Sequence, residues 1–323
     1  MHEQIWSYID GLLPQKHAVV QINALYHMMR DYPRRGGKML RGSLALLTAQ
    51  AYGSTLDRAL PLAAALELFQ NWVLIHDDIA DNSEERRGLP ALHQLHGVPL
   101  ALNAGDALHV YMWQAVFDCP VDVRAEFLHM IHRTAEGQHI DLSWVAEQTW
   151  DISVNRYLEM VQLKTAYYTI IGPLQMGMKT AGHQAHPLLT EAGLCLGSAF
   201  QIRDDVLNLT AEFDAYGKEI GGDLWEGKRT LITTDFLTQA SDDQRAFFLK
   251  AMNRPRSDKR AEDMEILHTW LLESGSTHRA MEVAQTEAER GLACLSEVFA
   301  DAPHRHPVER ILSVVRNLVT RSF

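Results

Sequence analysis

Two short acidic clusters are the residues of this chain whose types and spacing most directly imply chemistry. The first, Asp77-Asp78-Ile79-Ala80-Asp81, closes the apolar segment 57–76. On a helix, residues three and four apart share a face, so Asp77 and Asp78 both stand with Asp81. Like charges at that spacing repel, and a helix C-terminus disfavours anions. A bound cation reverses both penalties. Hard carboxylate oxygens suit Mg²⁺, which takes one or two carboxylates together with water and phosphate. The second cluster, Asp204-Asp205-Val206-Leu207-Asn208, repeats the geometry after the apolar run 194–202. One acidic helix end is ordinarily a solvated face. Two copies, each ending a strongly apolar helix, point to a metal cage inside a helical bundle.

A magnesium cage needs an anionic ligand, and the sequence carries the counter-charges. Gly36-Gly37-Lys38-Met39-Leu40-Arg41 sets a glycine pair before an expected helix start, with Lys38 and Arg41 one turn apart. Amides at a helix N-terminus cradle phosphate, and an arginine adds a two-pronged grip. Arg86-Arg87-Gly88 follows the first acidic cluster. Lys164-Thr165 precedes Tyr167-Tyr168, and Gly217-Lys218 and Gly227-Lys228 follow the second acidic cluster. The glycine-lysine pairs are not Walker loops, because G-x-x-x-x-G-K-[ST] is absent. Any one of these cations alone reads as surface; their order along the chain is what carries the reading.

Helices must position these groups. Segments 17–32, 39–52, 57–81, 121–147 and 185–209 place apolar residues three and four apart, and strand-like alternation is hard to find. Breakers separate them, among them Pro33 with Gly36-Gly37, Gly88 with Pro90, Gly97 with Pro99, and Pro187. The pattern gives roughly ten to twelve helices in one all-α domain spanning 1–323. The charged stretch 253–265 reads as an exposed loop or lid-like excursion. The bulk composition agrees: of 323 residues, 46% are hydrophobic and 22% charged, an ordinary globular balance. A net charge of −11 argues against nucleic acid as a partner. Cys119, Cys195 and Cys294 are scattered, which suits a reduced cytoplasm. No signal-peptide pattern opens the sequence and no apolar run suffices to span a bilayer, so we expect a soluble cytoplasmic protein.

From about Gly36 to Thr230 the ordered motifs resemble those of the trans-isoprenyl diphosphate synthases, the polyprenyl synthetase family. The resemblance implies an all-α bundle around a deep central cavity, a homodimer, and about three Mg²⁺ ions bridging an allylic diphosphate. It assigns the metal to Asp77, Asp78, Asp81, Asp204 and Asp205, with Asn208 at the last position. Arg86, Lys164, Lys218 and Lys228 would grip the allylic diphosphate. Gly37, Lys38, Arg41 and Arg87 would bind isopentenyl diphosphate, with Gln70 where many relatives carry His and Phe200 packed beside it. Thr165 and Gln201 would flank the reacting carbon, and Gln138 and Asp141 would form a supporting polar pair. The implied reaction ionises the allylic C–O bond, adds isopentenyl diphosphate to the cation, and loses a proton to the released pyrophosphate. Asn208 departs from the commoner Asp, though some geranylgeranyl diphosphate synthases share that form. The terminal Arg321-Ser322-Phe323 has no clear match to the basic tail of some relatives.

Product length in such a fold depends on the cavity floor. Trp72 and Val73, five and four residues before Asp77, sit one turn deeper on the same helix, and a bulky Trp there implies a short product. Geranylgeranyl diphosphate (C20) is favoured over farnesyl diphosphate (C15). The alternatives are a class I terpene cyclase, which has no use for Lys38, Arg41 and Arg87, and an inert regulatory subunit, which typically loses an aspartate motif. A carboxylate di-metal oxidase would want Glu-x-x-His pairs in its core. His129, His132 and His139 carry charged neighbours and no obvious fourth ligand, so they are read as a surface group rather than a zinc site.

Overall fold

The computed structural model describes residues 1–210 and 221–320, so Lys218 and the terminal Arg321-Ser322-Phe323 lie outside the described residues. Helices dominate. In chain order they are α1 (His2–Leu12), α2 (Val20–Arg34), α3 (Leu40–Ala51) and α4 (Leu56–Ala80). A short hairpin follows, β1 (Glu85–Arg86) with β2 (Leu89–Pro90), then α5 (Leu92–His96), α6 (Val98–Phe117) and α7 (Val121–Ala146). Next come α8 (Val154–Val161), a π-helix (Gln162–Ile171), α9 (Gly172–Thr180) and α10 (Leu189–Thr210). The described chain continues with α11 (Gly222–Glu226), α12 (Leu231–Gln239), α13 (Asp242–Met252) and a 3₁₀ turn (Arg256–Asp258). It closes with α14 (Ala261–Glu273), α15 (Ser276–Val298) and α16 (Arg305–Thr320). The all-α expectation holds. The helices outnumber the ten to twelve expected, because five-residue pieces such as α5 and α11 are too short to show periodicity.

The chain divides into two compact units. The first comprises Met1–Ile131, Tyr168–Thr190 and Cys294–Val314. Its centre is α4, which packs on α1, α2, α3 and α6, while α3 also packs on α9. Residues 62–69 of α4 are buried on every side, so this helix reads as apolar all round rather than as a stripe. That central position carries the acidic cluster at its C-terminal end.

The second unit comprises His132–Tyr167, Glu191–Ala293 and Val315–Phe323. Its core gathers Trp144, Trp150, Tyr157, Ile202, Phe236 and Phe248 with their neighbours. Two close approaches hold residues 162–167 of the π-helix. A Cβ at Gly137 would overlap the backbone of Lys164, and one at Gly197 would overlap Ala166. Glycine at both positions lets α7 and α10 press against the widened turn that carries Lys164 and Thr165. π-Turns are rare and concentrate at functional sites.

Two local expectations need correction. Pro33 does not precede the break but lies inside α2, as its penultimate residue. Lacking an N–H, Pro33 forfeits the bond to Met29 O, and the helix ends one residue later. The stretch 253–265 is not a free excursion. Asp263 is buried and paired with both Arg254 and Arg260, and Lys259 is only 8% exposed. Asp258, Arg260, Glu262 and Glu265 are exposed as the charge run suggests, but Asp263 and Lys259 turn inward.

Candidate active site

In the first unit, α4 ends at Ala80 and Asp81 caps it, its N–H bonding Asp77 O at 2.8 Å. Asp77 and Asp81 are half-buried, whereas Asp78 is 1% exposed. Asp78 is held from two directions. The Arg86 guanidinium pairs with it, with Nε 3.0 Å from Oδ1, and Tyr32 OH donates to Oδ2 at 2.5 Å. The same hydroxyl accepts the Leu92 amide at 3.1 Å. Burial opposes the Arg86 charge, but Asp78 beside it raises the guanidinium's pKa overall. Burial and then Asp78 push the Tyr32 phenol up, so it stays a donor.

The hairpin explains how consecutive arginines serve different partners. Arg86 pairs with Leu89 across the ladder, leaving Arg87 and Gly88 as the two-residue turn, with φ +57° and +72°. Positive φ at both positions is the type I′ geometry. A non-glycine residue there is strained by roughly 1–2 kcal/mol. The turn sends Arg87 away from Arg86. Arg87 Nη1 donates to Tyr32 O at 2.5 Å and to Asn71 Oδ1 at 3.3 Å.

Arg87 reaches the glycine pair, since a Cβ at Gly37 would lie 3.1 Å from its Nη2. Arg41 is buried nearby in sequence order, on α3. Its Nη2 donates to Thr169 Oγ1 at 2.8 Å and its guanidinium lies 4.1 Å above the Tyr168 ring. Lys38 is exposed and Gln70 half-buried. Arg41 Nε and Gln70 Oε1 are buried and have no hydrogen-bond partner among the described residues. Burial, then Arg86, lower the Arg87 pKa, so this cation is short of counter-charge. Buried polar atoms of this kind have hydrogen-bonding capacity to spare for an anionic group.

One expectation about this pocket changes. The start of α3 does not offer all its amides to phosphate. The buried carboxylate of Glu67 accepts Gly42 N–H at 2.8 Å and the Arg41 backbone as well. A carboxylate at a helix N-terminus is favourable, and burial still raises its pKa against Gly42, Arg41 and Arg87. The basic groups around this helix start are Lys38, Arg41 and Arg87. Glu67, Asn71 and Tyr32 were missed in the sequence because each acts on a partner far along the chain.

In the second unit, Asp141 on α7 is the anchor. Its Oδ2 accepts Lys164 Nζ at 2.5 Å and Lys228 Nζ at 3.3 Å. Burial would raise the Asp141 pKa, but the two ammonium groups overcome it and hold it well below the usual range. Next along the π-helix, Thr165 Oγ1 donates to Gln201 Oε1 at 2.9 Å. Gln201 Nε2 in turn donates to Asp205 Oδ1 at 2.8 Å, and Tyr157 OH donates to Asp205 Oδ2 at 2.7 Å. Burial raises the Asp205 carboxyl to about 7, against the Gln201 and Tyr157 hydrogen bonds. Asp204 is half-buried, Phe200 likewise, and Gln138 lies on α7 one turn before Asp141. Asn208 Oδ1 accepts the Asp223 amide at 3.1 Å, capping α11. A neutral amide does this without adding a further buried carboxylate beside Asp205.

The oxygen donors fit a hard cation. Among the described residues, no three His, Cys, Asp or Glu side chains gather closely enough to hold a metal alone. Mg²⁺ keeps water and substrate phosphate in its shell and takes one or two carboxylates from the protein. His129, His132 and His139 are exposed on α7.

Trp72, on α4 in the first unit, is half-buried rather than sealed in core. Its ring lies 4.5 Å from that of His109 and 5.6 Å from that of Phe69, and its Nε1 donates to His76 Nε2 at 3.2 Å. Trp113 donates to His109 in the same way, extending an aromatic wall along α6. Val73 is half-buried.

The polyprenyl synthetase family pattern matches residues 22–269. The chain belongs to the polyprenyl synthetase family. This polyprenyl synthetase is 35% identical over 291 residues to the short chain isoprenyl diphosphate synthase of Methanothermobacter thermautotrophicus, covering 83% of this chain and 87% of that one. Its fold matches the geranylgeranyl pyrophosphate synthetase of Pyrococcus horikoshii, with TM-score 0.81, 30% identity, and 99% and 96% of the two chains covered. It also matches a geranylgeranyl pyrophosphate synthase from Corynebacterium glutamicum complexed with isoprenyl diphosphate and magnesium. There the TM-score is 0.85 and the identity 25%, with 99% and 97% covered. The polyprenyl synthetase is thus a prenyltransferase of the isoprenyl diphosphate synthase type. No described helix is long and apolar enough to cross a membrane.

Proposed function

We propose that this prenyltransferase condenses an allylic diphosphate (dimethylallyl, geranyl or farnesyl) with isopentenyl diphosphate and releases pyrophosphate. The observation that carries the reading is the basic pocket of the first unit. There Arg41 and Arg87 are buried or half-buried cations whose guanidinium groups bond Thr169 and Tyr32 O rather than Asp78, and Arg41 Nε and Gln70 Oε1 have no hydrogen-bond partner among the described residues. A cyclase that ionises one diphosphate has no use for a second anion pocket.

Asp77, Asp78 and Asp81 of the first unit and Asp204, Asp205 and Asn208 of the second would hold magnesium, about three ions in all. Bound there, the metal supplies Lewis-acid stabilisation of the departing diphosphate. The chain's own groups do the rest. Arg86, Lys164, Lys218 and Lys228 orient the allylic diphosphate, and Gly37, Lys38, Arg41, Arg87 and Gln70 hold the isopentenyl diphosphate, with Phe200 beside its hydrocarbon. Thr165 and Gln201 place oxygens beside the electron-poor allylic carbon. The proton lost after coupling passes to pyrophosphate.

The C20 product, geranylgeranyl diphosphate, is favoured over C15. Trp72 braced by His109 sets the floor with Val73, and the relatives named for geranylgeranyl diphosphate support that length. Residues 1–323 would form one isoprenoid-synthase-like domain in a cytoplasmic homodimer. Exposed Val110 (61%) and Phe117 (68%) on α6 support the dimer, two turns apart on one face. Incubation with Mg²⁺, isopentenyl diphosphate and each primer, followed by sizing of the dephosphorylated prenols, tests the proposal. Linear prenols ending at C20 are expected; cyclic hydrocarbon from any primer contradicts it.

A further inference from the structure

Lys259 comes from the charged stretch that sequence alone reads as an exposed excursion, yet it is 8% exposed. Its Nζ donates to Leu224 O at 2.6 Å and to Trp225 O at 2.9 Å. These carbonyls lie in the last turn of α11, the five-residue helix whose other end is capped by Asn208. Leu224 O also accepts the Gly227 amide at 3.2 Å, and a carbonyl at a helix C-terminus takes a cation well, both as acceptor and through the local dipole. The helix then turns through Gly227, at φ +75°, directly into Lys228.

The turn is fixed from three sides. Lys228 N–H bonds Asp223 O at 2.8 Å, so its backbone is tied to α11 itself. Arg229 Nη1 donates to Gly227 O at 2.5 Å and its Nε to Thr149 O at 2.9 Å, with the guanidinium 3.9 Å above the Trp150 ring. Lys259 completes the clamp from below, its Nζ 3.4 Å from where a Gly227 Cβ would stand. A five-residue helix has no independent stability, so its place depends on what grips its two ends. At the far side of the turn, Lys228 reaches Asp141 at 3.3 Å.

We infer that Lys259 is a positioning residue for Lys228: by capping α11 it sets the turn from which Lys228 meets the allylic diphosphate. Burial, then Arg229 and Arg256, bring the Lys259 pKa down to about 8 against Glu226. An ammonium kept in that company is held by its two carbonyls. The inference rests on the reading of Lys228 as a diphosphate ligand, and the test separates the two.

A double-mutant cycle of Lys259→Met and Lys228→Met reads KM for each substrate. Lys228→Met should raise the allylic KM about tenfold, the size of one charge-assisted hydrogen bond, and leave the isopentenyl KM within twofold. Lys259→Met should raise the allylic KM alone, by a smaller factor, and the double variant should be no worse than Lys228→Met. Multiplying effects in the double variant overturn the inference, as does an equal rise for both substrates, which marks a merely structural loss. An unchanged allylic KM in Lys228→Met removes the ligand reading itself, and the positioning role with it. Lys259→Gln keeps an N–H donor toward the carbonyls and serves where Lys259→Met does not fold. Its allylic KM should lie at or above the wild-type value and below that of Lys228→Met with the isopentenyl KM unchanged, and an equal rise for both substrates overturns the inference.

Discussion

Asp141→Asn removes the one carboxylate shared by Lys164 and Lys228 while keeping the side chain's shape. Asp141 is 3% exposed and both contacts fall on the same oxygen, at 2.5 and 3.3 Å. A hydrogen bond to a charged group is worth about 1.5–3 kcal/mol net, against about 0.5–1.5 for a neutral one. The neutral amide therefore forfeits about 1 kcal/mol per lysine. Loss of the shared negative charge adds to that, but both ammonium groups keep some water, with side chains 23% and 14% exposed. The full cost of breaking a buried pair, about 3–5 kcal/mol, is thus an upper bound, and a loss of about 2–4 kcal/mol is expected. Urea unfolding at pH 7 reads it directly. The sign with pH is fixed. Asp141 has its pKa lowered in the fold, so its stabilisation is complete above the unfolded value of about 3.9 and fades as pH falls through the folded one. The deficit of the variant should be constant from about pH 5 to 8 and shrink below about pH 4. Diphosphate with Mg²⁺ should stabilise the variant more than the wild type, because the ligand supplies the missing anion. Equal stability of the two proteins at pH 7, with equal ligand shifts, would refute the reasoning.

Other expectations follow from the same contacts. Thr165→Val removes the hydroxyl that fixes Gln201, so kcat should fall about tenfold with little change in either KM, measured in steady state. Tyr32→Phe leaves Leu92 N–H without its acceptor and Asp78 Oδ2 with Arg86 Nε alone, so denaturant unfolding should show a loss of about 1–3 kcal/mol. Trp72→Ala should lengthen the product beyond that of the wild type in prenol sizing; an identical product shows that another residue forms the floor. Asp78→Ala is a poor probe of the metal alone, because Asp78 also neutralises buried Arg86. Asp77→Ala, at a half-buried position, should abolish turnover while circular dichroism and unfolding stay close to wild type.

Much of this was legible in the residues. Apolar periodicity located α4 and α10, and the breakers around them left the acidic clusters at their ends, where a cation resolves an otherwise unfavourable charge. The basic motifs were legible as types, but not their partners. Tyr157 lies 48 positions from Asp205, and Tyr32 lies 46 from Asp78, so no local spacing links them. The π-helix was invisible because its widened turn spans only 162–171, and it depends on close approaches at Gly137 and Gly197. Lys259 was misplaced for the converse reason. A lysine among charges is usually solvated, and only the fold brings it to carbonyls 34 and 35 positions earlier.

The central claim is that two diphosphates meet on this chain and are joined. The most direct test follows pyrophosphate release and incorporation of labelled isopentenyl diphosphate in one reaction, with Mg²⁺ and geranyl diphosphate as primer. One label incorporated for each pyrophosphate released, with neither seen when isopentenyl diphosphate is omitted, is the expected result. Pyrophosphate released without incorporated label, or no reaction with any primer, would contradict it.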